Sequence, residues 1–263
     1  MRVWNALVAV FGFAVAAFVA GVSISASNSL LLLAAAIVFL QTSAGNVLND
    51  YFDYEIDKIN RPNRSLPSGR ANRNTAKLFG LLLFAVSIIM AFYLPQAMLA
   101  LALFNGLLSM AYSWRLKRTP AGHFVVSWLT ASLFIFAAFM SSLTLLIWIV
   151  ASMVFCISMV REIAKGFEDF KGDARMDAAT LEVILGKPTA HLFAITFAAL
   201  GIILTFLPYG LGYFKSFYIV LIALADAAVL YSLYIMKEKA GAAQRILKYV
   251  MLLTLAAFIA GTI

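Results

Sequence analysis

Nine apolar runs constrain this chain more than any other feature. They lie near residues 4–24, 29–49, 76–94, 96–114, 124–142, 144–161, 189–207, 217–236 and 246–263, and each is close to the roughly 20 residues an α-helix needs to cross a hydrocarbon layer about 30 Å thick. They leave little of the 263 residues for anything but loops, so the expected organisation is a single transmembrane domain over residues 1–263. Hydrophobic residues are 63% and charged residues 12% of the chain, against roughly 45–50% and about 25% in soluble domains. A water-soluble globule is excluded. The runs are twice as long as barrel strands and do not alternate, which leaves an all-α integral membrane bundle of nine transmembrane helices. Only Leu94-Pro95-Gln96 separates the third run from the fourth, and only Ser141-Ser142 the fifth from the sixth. Both pairs read as tight hairpins.

The opening Met1-Arg2-Val3-Trp4-Asn5 leads straight into an apolar stretch with no small-residue cleavage site, so a first span is expected and not a removable signal peptide. The lone Cys156 lies within the run Trp148–Met159. It excludes a disulfide framework and a cysteine metal site and reads as a small buried hydrophobe.

An odd number of spans puts the N-terminus and the loops after spans two, four, six and eight on one side. Lys and Arg on that side are Arg2; Lys58, Arg61, Arg64, Arg70, Arg73 and Lys77; Arg115, Lys117 and Arg118; Arg161, Lys165, Lys171, Arg175 and Lys187; and Lys237, Lys239, Arg245 and Lys248, which is 19 of the 20. Lys215 is alone on the other. The positive-inside bias assigns the N-terminus and the four polar loops to the cytoplasm. The net charge of +8 is thereby a topology signal. Nucleic acid is not an expected partner, because the basic residues are spread over four loops without a recognition motif.

Ten of the twelve acidic residues crowd into two of those loops: Asp50, Asp53, Glu55 and Asp57 after span two, and Glu162, Glu168, Asp169, Asp173, Asp177 and Glu182 after span six. Asn49, Asp53 and Asp57 are spaced i, i+4, i+8, one face of a helix continuing out of span two, with Asp50 on the same side. Stacked like charges at that spacing cost about 0.2–0.5 kcal/mol per pair and call for a cation. Hard oxygens of this kind suit a hydrated magnesium ion shared with a substrate phosphate; the bland alternative is a solvated network with Lys58, Arg61 and Arg64. The stretch Lys165-Gly166-Phe167-Glu168-Asp169-Phe170-Lys171-Gly172-Asp173 aligns without gaps on residues 49–57, setting Asp169 on Asp53, Asp173 on Asp57, and matching Tyr51/Phe167 and Tyr54/Phe170. Glu162 falls on the aspartates' face, seven residues before Asp169. Two facing acidic helices among Arg and Lys form an expected site for metal ions bridging a diphosphate, where the metal offsets charge growing on a leaving group.

Asn49-Asp50-x-x-Asp53-x-x-x-Asp57 with Asp169-x-x-x-Asp173 resembles the paired aspartate-rich motifs of the UbiA superfamily of intramembrane prenyltransferases. The resemblance extends to Arg2 and Asn5 in span one, to Ala44-Gly45-Asn46, to Arg61-Pro62-x-Arg64-x-Leu66-Pro67-Ser68-Gly69, and to Tyr112-Ser113-x-x-Leu116-Lys117. Within the superfamily, Arg161-Glu162-Ile163-x-Lys165 and Glu168-Asp169-x-x-Gly172-Asp173 are most similar to the archaeal digeranylgeranylglyceryl phosphate synthases. That branch usually carries Asp where this chain has Gly166, so one acidic ligand is missing and the second metal subsite is expected to be either weaker or filled by Glu162 or Glu168. The segment Ala174-Arg175-Met176-Asp177 also departs from the branch's Arg-x-x-Gly.

The resemblance implies a helix bundle around a central cavity with short helical cytoplasmic caps and Mg2+-dependent ionisation of an allylic diphosphate. Asp53, Asp57, Asp169 and Asp173 are the expected metal carriers, with Asn49 and Asp50 beside them. Arg61, Arg64, Tyr112, Arg115, Lys117, Arg161, Glu162 and Lys165 are the expected binders of the diphosphate or of a phosphate-bearing acceptor. The implied reaction transfers a geranylgeranyl group to the free hydroxyl of geranylgeranylglyceryl phosphate, with membrane lipid as surroundings and no obligate protein partner. Prenylation of an aromatic acceptor is the alternative within the class. A divalent-cation transporter is disfavoured because only Asp226 and scattered hydroxyls lie deep in the spans. Asp226 is expected to be a buried hydrogen-bond partner, and His123 and His191, at span starts, to make helix-end contacts.

Overall fold

The computed structural model describes the backbone of residues 3–175 and 178–262, and their side chains except 24–27, 59 and 60. Arg2 and Asp177 therefore lie outside the described residues. Among the described residues ten α-helices follow one another: α1 Val3–Val19, α2 Ile24–Phe52, α3 Tyr54–Asn60, α4 Arg73–Ala91, α5 Gln96–Trp114, α6 Ala121–Ala138, α7 Leu145–Arg175, α8 Leu181–Gly210, α9 Ser216–Ile235 and α10 Ala240–Thr262, with a 3-10 turn at Leu116–Arg118. Among the described residues eight helices are long and apolar enough to cross a membrane, and α1, with 17 residues, is the shorter apolar helix at the expected first span. The chain is a multi-pass membrane protein.

The helices form two compact units. The first comprises residues 1–14 and 23–115; the second comprises 15–22 and 116–263. Each carries one acidic motif. In the first, α2 packs on α4 and α5, which form the hairpin expected around Pro95. Apolar side chains gain little from leaving lipid for another helix, so close backbone approach through small residues does the packing. A Cβ on Gly106 would stand 2.7 Å from the Phe84 ring, and one on Gly45 2.6 Å from Ser109 Oγ. In the second unit α6 and α7 bury most of their surface, and α7 packs on α6, α8 and α10. Deep in this unit the Thr205 hydroxyl hydrogen-bonds Asp226 Oδ2 at 2.9 Å, and Tyr218 donates to the Thr205 carbonyl at 2.7 Å. Asp226 has the hydrogen-bonded setting expected of it. Cys156 is a free, buried thiol.

Two helices overrun their apolar runs. With 29 and 31 residues, α2 and α7 are about 43 and 46 Å long at ~1.5 Å per residue, well beyond the ~30 Å of hydrocarbon. Their C-terminal ends therefore carry Asn49–Phe52 and Arg161–Arg175 out of the membrane.

Candidate active site

The first motif does not lie on one unbroken helix, as the i, i+4 spacing suggests. Helix α2 ends at Phe52, Asp53 takes a turn conformation (φ −84°, ψ 2°), and α3 begins at Tyr54. Register survives the break, because Asp53 N–H donates to the Asn49 carbonyl at 2.9 Å and Asp57 N–H to the Asp53 carbonyl at 2.8 Å. Asp57 is buried, while Asn49, Asp50 and Asp53 are half-buried. Arg64 Nη1 meets Asp57 Oδ2 at 2.6 Å and Asp50 Oδ1 at 3.6 Å. The guanidinium offsets charge that would otherwise leave a carboxylate buried without a partner. Asp50, Asp57, Asn63, Arg64 and Arg70 face one cleft of about 540 Å3 in this unit. Arg61 is exposed. Lys58 pairs instead with Glu55 at 3.1 Å, and that hydrogen bond raises the ammonium's pKa. Tyr112 lies in the last turn of α5, and Arg115 caps it. Lys117 lies in the 3-10 turn at the start of the longer stretch of the second unit.

In the second motif α7 runs unbroken, as expected. Glu162 is buried and takes Arg161 Nη1 at 2.8 Å and Lys165 Nζ at 3.8 Å. Asp169 and Asp173 are half-buried. Asp173 lies past the membrane-crossing part of α7, and its carboxyl is held above the ordinary value, first by burial and then by the negative charges of Asp169 and Glu182. Neither Glu162 nor Glu168 fills the place left by Gly166. Glu162 is engaged by its two cations, and Glu168 lies beside Gly241 of α10, whose Cβ would stand 3.1 Å from Glu168 Oε1. The carboxyl group of Glu182, from the first turn of α8, occupies that place: a Cβ on Gly166 would fall inside it. Glu182 Oε1 accepts from His123 Nε2 at 2.9 Å. His123 is therefore a first-turn residue of α6 whose partner is an acidic-loop carboxylate.

The matched aromatics carry matched cations. Arg73, the first residue of α4, lies 4.9 Å from the Tyr51 ring centre and 4.8 Å from that of Tyr54. Lys187 of α8 lies 5.7 Å from Phe167 and 4.6 Å from Phe170. Each contact is worth about 0.5–2 kcal/mol and ties a motif to the next helix of its own unit. Sequence reasoning used the aromatics for alignment only and passed over Arg73, Lys187, His123 and Glu182 as site residues. The pairing of aromatics at equal positions was the available signal for the two cations.

The donors in both motifs are carboxylate and amide oxygens, the hard set a magnesium ion takes. Among the described residues no three acidic, histidine or cysteine side chains stand together at metal-holding distance. The unpartnered buried oxygen Glu182 Oε2 and the cation-demanding setting of Asp173 are what a divalent ion would relieve.

A membrane-embedded helical bundle with two such motifs is the architecture of intramembrane prenyltransferases. The chain belongs to the UbiA prenyltransferase family, whose model matches residues 7–259. It is 39% identical over 262 residues to digeranylgeranylglyceryl phosphate synthase of Methanopyrus kandleri, covering 97% of this chain and 95% of that protein. The corresponding enzyme of Pyrococcus horikoshii is 38% identical over 238 residues, with 89% and 85% covered. The fold is similar to a solved structure of digeranylgeranylglyceryl phosphate synthase in membranes, with a TM-score of 0.82, 32% identity, and 99% and 95% of the two chains covered. It also matches a UbiA homologue from Archaeoglobus fulgidus bound to DMAPP and Mg2+, with a TM-score of 0.75, 15% identity, and 99% and 97% covered.

Proposed function

We propose that this chain transfers a geranylgeranyl group from its diphosphate to the free hydroxyl of geranylgeranylglyceryl phosphate, with Mg2+, at the cytoplasmic face of the membrane in archaeal ether-lipid synthesis. The observation that carries the reading is the cleft of the first unit, where the carboxylates of Asp50 and Asp57 and the guanidiniums of Arg64 and Arg70 face one space. Groups that hold a cation and groups that hold phosphate oxygens are both at hand there. Identity of 39% over nearly the whole length of an enzyme with that name supports the acceptor class.

Bound magnesium would neutralise the diphosphate as it leaves the allylic carbon. Asp53, Asp57, Asp169 and Asp173, with Asn49 and Asp50, would hold it, and the two units would act as one prenyltransferase domain. Preorganised positive charge lowers the barrier to a reaction that separates charge. Arg61, Arg64, Arg115, Lys117, Arg161 and Lys165 give the chain more cations than one diphosphate needs, which suits an acceptor that carries a phosphate of its own, and the Tyr112 hydroxyl would add a hydrogen bond to a phosphate oxygen. Glu162, fixed between Arg161 and Lys165, orders two of those cations. Breaking the allylic C–O bond leaves a cation that water would quench; the apolar spans exclude water from the prenyl chain.

The test is transfer of radiolabelled geranylgeranyl groups by the purified protein in liposomes. The proposal expects product with Mg2+ and none with a chelator. It also expects Asp53→Ala, Asp57→Ala, Asp169→Ala and Asp173→Ala each to lose more than about 100-fold in kcat/KM while still folding. Near-normal turnover in any two of the four overturns it.

A further inference from the structure

The internal alignment sets Gly166 opposite Asp50, just as it sets Asp169 opposite Asp53 and Asp173 opposite Asp57. Gly166 is thus the one position of the acidic stripe at which the second motif has no carboxylate. Residues 166, 169 and 173 lie i, i+3 and i+7 on the continuous helix α7 and share a face.

The gap in the stripe is filled from another helix. Glu182, in the first turn of α8, is fully buried, with 0% exposure. Its carboxyl group rests on the bare backbone of Gly166, in the volume a side chain there would need. One oxygen is fixed by His123 at 2.9 Å. The other, Oε2, is buried and has no hydrogen-bond partner among the described residues. A buried carboxylate oxygen without a donor is costly, so its retention points to a cationic ligand. Glu182 is also near enough to Asp173 to act on it through its charge.

We infer that Glu182 is the missing carboxylate of the second motif, delivered from α8 onto Gly166, with Oε2 facing the divalent cation held by Asp169 and Asp173 and Oε1 oriented by His123. Gly166 and Glu182 then form an exchanged pair: the helix that carries the stripe gives up its side chain, and its neighbour provides the charge. The inference rests on the reading of this motif as a divalent-cation carrier. A second-sphere histidine that orients a metal-facing carboxylate normally accounts for 10- to 100-fold in affinity, so His123 belongs to the same device.

Binding of Mn2+ to the purified full-length protein, followed by the electron paramagnetic resonance of free Mn2+, tests this apart from turnover. Glu182→Gln keeps the shape and an oxygen for His123 but removes the charge; about tenfold or weaker Mn2+ binding is expected, with a melting temperature close to that of the parent. Gly166→Asp alone puts two carboxylates into one volume and should lower the melting temperature. The double variant Gly166→Asp/Glu182→Ala returns the carboxylate to α7 and should bind Mn2+ at least tenfold more tightly than Glu182→Ala. Parent-like Mn2+ affinity in Glu182→Gln, or a double variant no better than Glu182→Ala, overturns the inference while Asp169→Ala still abolishes binding. If Asp169→Ala also binds Mn2+ like the parent, the cation-carrying reading of the motif fails and the inference falls with it.

Discussion

Asp57 is 5% exposed, and its carboxylate meets Arg64 at 2.6 Å, so the buried charge of the first motif is offset by a side chain seven residues away. Arg64 also reaches Asp50 at 3.6 Å. Truncating it leaves Asp57 buried and uncompensated, a loss of about 1–3 kcal/mol for a partner that is itself partly solvated. Arg64→Ala should therefore lower the thermal inactivation temperature as well as raise the KM for prenyl diphosphate. Arg64→Lys should recover the stability better than the KM, because an ammonium lacks the planar fork that holds two oxygens at once. An unchanged inactivation temperature in Arg64→Ala would show that the ion pair does not hold the motif. At this scale the aspartates were legible in the sequence, because their spacing is a property of one segment and is repeated in another. Glu182, His123, Arg73 and Lys187 were not. Each acts on a motif from a helix whose position depends on tertiary packing; the paired aromatics were the one hint of Arg73 and Lys187, and the bare Gly166 the one hint of Glu182.

Helix α8 combines two segments that meet at Gly186, whose backbone lies at φ 76°, ψ 157°, a region that side chains avoid. Pro188 follows two residues on, just ahead of the span that the apolar pattern places at 189–207. The short segment before the kink carries Glu182 and presents it to α7. Gly186→Ala should cost roughly 1–3 kcal/mol through its positive-φ, extended backbone and weaken Mn2+ binding through Glu182; a melting temperature equal to the parent's would contradict the role assigned to this kink. The close approach in the first unit makes a parallel case. Gly106→Val brings side-chain atoms into the Phe84 ring and should destabilise by about 1–3 kcal/mol, read as a lower inactivation temperature, whereas Leu107→Val on the exposed side of the same helix should be neutral. Hydropathy located the nine apolar segments because lipid contact dictates which residues can cross. It could not show that Asp53 breaks the helix leaving span two, nor that a helical segment bearing Glu182 precedes the kink of α8, because outside the membrane the backbone follows local hydrogen bonding and packing and not hydropathy.

Along the sequence, 19 of the 20 Lys and Arg residues fall at the N-terminus and in alternate loops, which predicts that these segments share the cytoplasmic side. Cys156 is the sole cysteine and is buried, so a Cys156→Ala background gives a clean test of orientation. A cysteine at Tyr213, which is exposed, should react with a membrane-impermeant maleimide in right-side-out vesicles, and one at the exposed Arg118 only after permeabilisation. Labelling in the reverse order would place the acidic loops outside. The most direct test of the central claim is a competition for the acceptor. Purified protein in liposomes receives labelled geranylgeranyl diphosphate and Mg2+ with equal concentrations of geranylgeranylglyceryl phosphate and an aromatic acid, and the products are separated and counted. The surplus of loop cations predicts that label enters the glyceryl phosphate, with digeranylgeranylglyceryl phosphate as the product. Preferential prenylation of the aromatic acid, with the lipid phosphate left unmodified, would contradict the account.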